Sequence, residues 1–300
     1  MLNPEIYAWL KNILYESSSL NAQPLKGGIS SSVYLITFKT KPLFPKYVLR
    51  IFDNPIWLHE EPDLPIHEAK ALQEAKKAGI LAPQYIATAN HEELGTPMLL
   101  MSFIEGRIDL GFKDVQNWLA SLANELATIH QHRPKKFAWQ FKSWVKKNEI
   151  VVPSWTQCPK AWEKAIDIVL EPPPEYQNVF LHRDYHPLNI LWHRGKISGI
   201  VDWVNSCEGP AGVDVAHCRT NLMQMFGIEC AEQFLKAYQL ASPLFTYHTY
   251  WDIDSVLNLC WPKPEYYEPW KEFRIGCIED KVRQERTDRY LKYLLANYQD

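Results

Sequence analysis

No apolar run in this chain of 300 residues approaches the length needed to cross a bilayer, which argues against a membrane protein. A basic excess is also missing. The 32 Lys and Arg stand against 35 Asp and Glu, a net charge of −3, so there is no electrostatic footprint for nucleic acid. The opening residues Met1-Leu2-Asn3-Pro4-Glu5 do not read as a secretory signal. The 6 cysteines form no Cys-x-x-Cys pair and all lie between 158 and 277; they read as reduced core thiols in a cytoplasmic protein. Internal repeats and low-complexity tracts are absent. What is present is a 46% hydrophobic chain with 12 Trp, 15 Tyr and 12 Phe, enough for sizeable cores and long enough for two lobes around a cleft.

The chemistry-bearing stretch is Leu181-His182-Arg183-Asp184-Tyr185-His186-Pro187-Leu188-Asn189-Ile190-Leu191, followed by Ile200-Val201-Asp202-Trp203. Asp184 precedes Asn189 by 5 residues, and Asn189 precedes Asp202 by 13. An Asp on a tight loop can accept a hydroxyl proton. An Asn five residues on and an Asp at a strand end can hold Mg²⁺ against nucleotide phosphates. Two β-rich runs, 190–192 and 197–201, flank His193-Arg194-Gly195-Lys196, whose Gly suits a hairpin turn that would fold Asp202 back beside Asn189.

On these residues the chain resembles the aminoglycoside phosphotransferase and choline-kinase-like group of small-molecule kinases. That group has a His-x-Asp-x-x-x-x-Asn loop followed by an Asp after the next hairpin. The resemblance implies an α+β, bilobal protein-kinase-like fold, with a β-rich nucleotide-binding lobe over 1–103 and a mainly helical catalytic and acceptor-binding lobe over 104–300. It implies ATP as co-substrate, Mg²⁺, and a small-molecule hydroxyl acceptor. Asp184 would be the catalytic base, and Asn189 and Asp202 the metal ligands. His182 would brace the loop through backbone hydrogen bonds, and Asp214 would be a structural carboxylate at the start of the next helix, where Asp is also a good N-cap.

Further elements fit the same frame. Residues 5–18 have apolar residues at helical spacing. Residues 25–36 read as strand, small-residue turn, strand. In the resembling family such a hairpin lies over the phosphates, with Gly28 in the turn and Ser30 at a phosphate-contacting position. The β run 47–52 carries Arg50 where the protein-kinase pattern has Lys, and a helix starting after Pro65 carries Glu68. Arg50 is expected to bridge phosphate and Glu68, as a planar fork in place of a point charge. The run 97–106 resembles the last strand and hinge, with Ser102 and Ile104 offering backbone groups to adenine and Met101 packing behind it. Residues 115–130 form a core-facing helix whose terminal His130, like His132, reads as a packing or helix-dipole residue.

Asp202 runs straight into 203–216, with no long mobile segment and no Ala-Pro-Glu anchor, so a small acceptor is favoured over a protein. Acceptor residues are expected from an insert around 135–175 and from the region after 203. Their charges disagree: 135–167 carries 7 Lys against 3 acids, and 203–273 carries 9 acids against 4 bases. The aromatic residues Tyr247, Tyr250, Trp251, Trp261, Tyr266, Tyr267 and Trp270 could stack a sugar or cage a cation, or simply form core. The resulting reading is an ATP-dependent O-kinase acting on an aminoglycoside-like antibiotic, an amino alcohol or a sugar. The alternatives are a protein kinase and a nucleotide-binding pseudokinase acting as an interaction module.

Overall fold

Alternating apolar residues build one face of an antiparallel sheet, and an amphipathic helix covers it. The computed structural model describes residues 2–15, 19–25, 31–38, 45–90, 94–110, 113–264 and 279–298. It divides into two units, 1–107 with 190–206, and 108–189 with 207–300.

In the first unit, β1 (Leu20–Pro24), β2 (Ser32–Phe38), β3 (Tyr47–Ile51), β4 (Tyr85–Ala89) and β5 (Met98–Ser102) form a sheet in the order β1-β2-β3-β5-β4. Its neighbouring strands are antiparallel. Ile36 and Phe38, Leu49 and Ile51, and Met98 and Leu100 fall two apart and share one face. Onto that face α1 (Pro4–Ile13) packs Ile6 and Leu10. Each such fully buried side chain stabilises the unit by roughly 1.5–3 kcal/mol. Asn3 caps α1 through the Glu5 backbone N–H, and Pro4 occupies the first turn. The helix ends sooner than the periodicity over 5–18 implies. Leu14 caps it and Tyr15 takes a positive φ of 50°.

Between β3 and β4 lie α2 (Pro55–Glu60) and α3 (Leu64–Lys77), the latter with Pro65 in its first turn and Glu68 buried. After β6 (Arg107–Ile108) the chain passes to the second unit. It returns with the hairpin β8 (Ile190–His193) and β9 (Lys196–Ile200). Arg194 at φ 51° and Gly195 at φ 77° link the paired His193 and Lys196, both with the positive φ that a two-residue type I′ turn needs.

The second unit is mostly helical. Its described helices are α4 (Val115–Gln131), α5 (Pro159–Leu170), α6 (Ala211–Phe226), α7 (Ile228–Ala241), α8 (Thr249–Cys260) and α9 (Asp280–Ala296). A short antiparallel pair, β7 (Asn178–Leu181) with β10 (Cys207–Pro210), brackets the loop that carries Asp184. Helix α6 packs on both α7 and α8 and buries nearly every side chain, as a central helix must. The described cysteines at 158, 207, 218, 230 and 260 are buried and free. Among the described residues no helix is long and apolar enough to cross a membrane.

Candidate active site

Two clusters of charged side chains stand out, one in each unit. In the first, β3 places Arg50 between Leu49 and Ile51, on the sheet face opposite to α1. Arg50 Nη1 lies 3.1 Å from Glu68 Oε2 on α3 and donates to Asp202 Oδ1 at 2.8 Å. The Arg50 and Glu68 side chains are 9% and 1% exposed, and that of Asp202 is 32% exposed. Burial works against the Arg50 charge, but Glu68 and Asp202 more than offset it and hold its pKa above the ordinary value. Burial raises Glu68 to about 7 even though Arg50 pulls the other way. Asp202 adopts φ 69°, a left-handed conformation that L residues with a Cβ seldom take and that marks functional loops.

In the second unit Asp184 is the hub. Its Oδ1 lies 3.0 Å from His217 Nε2 and 3.4 Å from His186 Nε2, and its Oδ2 accepts from Asn189 Nδ2 at 3.1 Å. Asn189 Nδ2 also donates to the Asp184 backbone carbonyl at 2.9 Å. Burial alone would raise the Asp184 pKa, but His186 and His217 hold it well below the carboxylate range. Burial lowers His217, against the upward pull of Asp184. The ligand atoms of Asp184, His186 and His217 lie within 4.8 Å of one another, so this trio could also take up a metal ion.

The loop backbone is fixed from behind. Asp214 accepts the His182 N–H through Oδ2 and the Arg183 N–H through Oδ1, both at 2.8 Å, and its Oδ2 lies 3.3 Å from His130 Nε2. His130 Nδ1 in turn contacts Tyr238 Oη at 2.6 Å. Burial would raise Asp214, yet these partners keep it below its ordinary value. Asp214 is therefore not the N-cap of α6 that its position implies. Pro210 occupies the cap, and Asp214, in the first turn, turns inward to the loop. His182 Nδ1 accepts the Asp184 N–H at 3.3 Å.

Met101 and Ser102 close β5, and the Ser102 hydroxyl accepts the Gln84 N–H at 2.8 Å. Ile104 lies against Gly199, where a Cβ would come within 2.5 Å of the Ile104 side chain. Gly28 and Ser30 lie outside the described residues.

The chain matches a known enzyme family. A profile of the phosphotransferase enzyme family (APH) matches residues 21–250. The chain belongs to that family. Membership makes it a phosphotransferase of the kinase type with an alcohol group as acceptor. Among solved structures, a thermostable mutant of aminoglycoside phosphotransferase APH(4)-Ia, in a ternary complex with ADP and hygromycin B, superposes with TM-score 0.63 at 14% identity. That match covers 96% of this chain and 98% of the other. An aminoglycoside-3'-phosphotransferase of type VIII gives 0.58 at 13% identity, covering 96% and 100%. Amicoumacin kinase hAmiN, in complex with AMP-PNP, Ca²⁺ and Ami, gives 0.58 at 14%, covering 96% and 94%. Comparison with curated proteins found no match. The phosphotransferase thus has the α+β, bilobal protein-kinase-like fold that the resemblance implied, with a β-rich first unit and a helical second one.

Sequence reasoning assigned no role to His186 or His217 and took His130 as a packing or dipole residue. His186 stands two positions after Asp184, a spacing that a tight loop can turn back on itself. His217 follows Asp214 by three residues on α6, the spacing that puts two side chains on one helix face.

Proposed function

We propose that this phosphotransferase moves the γ-phosphate of ATP to a hydroxyl of a small molecule, with Asp184 positioning that hydroxyl. The observation that carries the reading is the Asp184 carboxylate, held ionised by His186 and His217 and fixed by Asn189. A carboxylate with a depressed pKa is a weak base but a reliable acceptor. Its main effect is therefore to align the hydroxyl for in-line attack and to take its proton late. In the balanced reaction the acceptor oxygen bonds to the γ-phosphorus as the bond to the β-phosphate oxygen breaks. ADP departs, and the hydroxyl proton passes to an Asp184 carboxylate oxygen.

ATP as the donor is supported by neighbours solved with ADP or AMP-PNP. The donor set fits Mg²⁺, a hard cation that prefers oxygen ligands. The Asn189 amide nitrogen is engaged by Asp184, which leaves its carbonyl oxygen without a hydrogen bond among the described residues. Among the described residues Asp202 is bound by Arg50 at Oδ1 only, and it stays partly exposed. Asn189 and Asp202 would hold the metal, which when bound neutralises charge on the phosphate oxygens. Arg50, fixed by Glu68, is the proposed phosphate-side cation, and Ser102 and Ile104 the adenine-side backbone. His182 and Asp214 are assigned loop support.

The test is an ATP-consumption screen with phosphorylated product identified by mass spectrometry, across aminoglycosides, amino alcohols, sugars and nucleosides. Acceptor-dependent ADP release that disappears in Asp184→Ala supports the reading. Phosphorylation of added protein and of no small molecule would replace it with a protein kinase.

A further inference from the structure

The nine acids of 203–273 would suit a polycationic acceptor only if their carboxylates were free to meet it, and most are engaged within the second unit. Asp252 and Glu232 pair with Arg219 at 2.9 and 2.8 Å. Glu208 accepts from Gln140 at 2.9 Å, and Glu229 from Gln233 at 3.0 Å. Asp214 turns inward to the loop. Asp254 pairs with Lys147 at 2.9 Å through Oδ1 and accepts from Asn258 at 3.1 Å through Oδ2. Glu265, Glu268 and Glu272 lie outside the described residues.

A cation in the same unit is left over. Arg183 is 5% exposed, yet among the described residues it makes no ion pair. Its Nη2 donates to the Lys142 carbonyl at 3.1 Å. Aromatic rings lie against its guanidinium, with Trp144 at 3.8 Å and Phe141 at 4.9 Å from ring centre to guanidinium carbon. The N–H rim of the planar fork remains the part that can meet a further partner, with the geometry that matches carboxylate or phosphate oxygens. Burial lowers the Arg183 pKa, outweighing the upward pull of Cys207, Asp214, Asp254 and Asp184.

This cation borders a narrow cleft, with room for about one water-sized group, whose walls are built. Asn258 Oδ1 accepts from Ser143 Oγ at 3.0 Å and from the Trp144 N–H at 2.9 Å, which anchors the segment bearing Trp144. Gly209 lets Phe141 approach, since a Cβ there would lie 2.6 Å from the Phe141 Cβ. Trp144, Arg183, His217, Asp254 and Asn258 all line the cleft, and His217 also touches Asp184.

We propose that this cleft is part of the acceptor subsite and that Arg183 selects hydroxyl compounds carrying a carboxylate or phosphate group, an inference that rests on the phosphoryl-transfer reading above. One oxygen of the acceptor's anionic group meets the guanidinium rim while its hydroxyl reaches Asp184, which His217 on the cleft wall contacts at 3.0 Å. Lys147 neutralises Asp254, so a polyamine finds no unpaired carboxylate on the cleft wall.

The test uses the full chain labelled with ¹⁵N-arginine. The Arg183 guanidinium resonances, assigned by their loss in Arg183→Lys, should move saturably with millimolar acetate or inorganic phosphate and stay put with methylammonium. If Arg183→Lys fails to fold, the same resonances are identified by the ring-current change in Trp144→Leu. A response to methylammonium, or no saturable response to either anion, overturns the subsite. A second arm measures kcat/KM for ATP-dependent phosphorylation of hydroxy acids, sugar phosphates and amino sugars. One of the two anionic sets should exceed the amino sugars by about tenfold or more and lose that margin through KM in Arg183→Gln. The winning set tells carboxylate from phosphate, and a preference for amino sugars overturns the specificity. Anion binding with no acceptor phosphorylated would overturn the kinase reading and leave the anion subsite standing. Turnover without any anion response would do the reverse.

Discussion

The two charged clusters are built with opposite polarity. In the first unit a guanidinium sits between two carboxylates, Glu68 and Asp202; in the second a carboxylate sits between two imidazoles, His186 and His217. The difference decides where pH can act. Arg50 stays charged at any physiological pH, so titration in its cluster is carried by Glu68, which burial raises to about 7. Around Asp184 the hub is held ionised far below neutrality, and the partner whose pKa burial shifts is His217. One cluster keeps its cation constant and varies its anion, and the other does the opposite.

The strongest way to break this picture is to remove the second hub. Asp184→Ala should lower kcat by about 10²–10⁴ with little change in ATP affinity, because hydroxyl alignment belongs to the transition state. Steady-state kinetics on the true acceptor checks this, and a near-normal kcat would remove Asp184 from the reaction.

Next in size is the proposed metal pair. Asp202→Ala should weaken Mg·ATP binding by about 10–100-fold, and more than Asn189→Ala, since a carboxylate supplies charge and an amide only a dipole. Calorimetric titration compares the two, and equal affinities would contradict the assignment.

The first cluster is sharpened by a double-mutant cycle. Arg50→Ala and Glu68→Ala should be non-additive in kcat/KM for ATP, with a coupling of about 0.5–3 kcal/mol. Arg50→Lys should fall between wild type and Arg50→Ala, because it keeps the charge and loses the fork. Strict additivity would make Arg50 and Glu68 independent neighbours.

Glu68 also leaves a signature in stability. With its pKa near 7 against an ordinary 4.5, the folded chain binds more protons than the unfolded one between those values. Its contribution is therefore present below about 4.5 and is lost as pH rises through about 7, a decline of roughly 1–3 kcal/mol. Denaturant titrations across that window should show the decline in wild type and not in Glu68→Gln.

The smallest expected effect is at His217. His217→Asn should cost about tenfold or less in kcat while moving the acid limb of the kcat/KM profile to higher pH, as Asp184 loses a partner that holds it down. A purely structural His217 would lower activity without moving that limb.

What the sequence made legible was local. The spacing from Asp184 through Asn189 to Asp202, the hairpin whose turn needs Gly195, and the strand carrying Arg50 are all written within short windows. Hydrophobic period and turn chemistry suffice to read them. The supports of Asp184 were not legible in the same way. His217 sits in Val213-Asp214-Val215-Ala216-His217-Cys218, a stretch that reads as core helix, and only tertiary packing brings it to a loop more than thirty residues earlier. Asp214 is legible as a structural carboxylate at a helix start, where Asp also makes a good cap, but not the two loop amides that its buried oxygens satisfy in place of capping.

The grip of Asp214 on residue 183 has an evolutionary side. Arg183 holds a φ of 73°, where glycine would be the easy choice, while a carboxylate from α6 clamps its amide. A backbone bend imposed from outside frees the residue inside it from conformational duty. The side chain at 183 is thus a variable that selection can change, one substitution at a time, without redesigning the loop that carries the neighbouring carboxylate. A scaffold arranged this way can diversify in what it recognises while the reaction it performs stays the same.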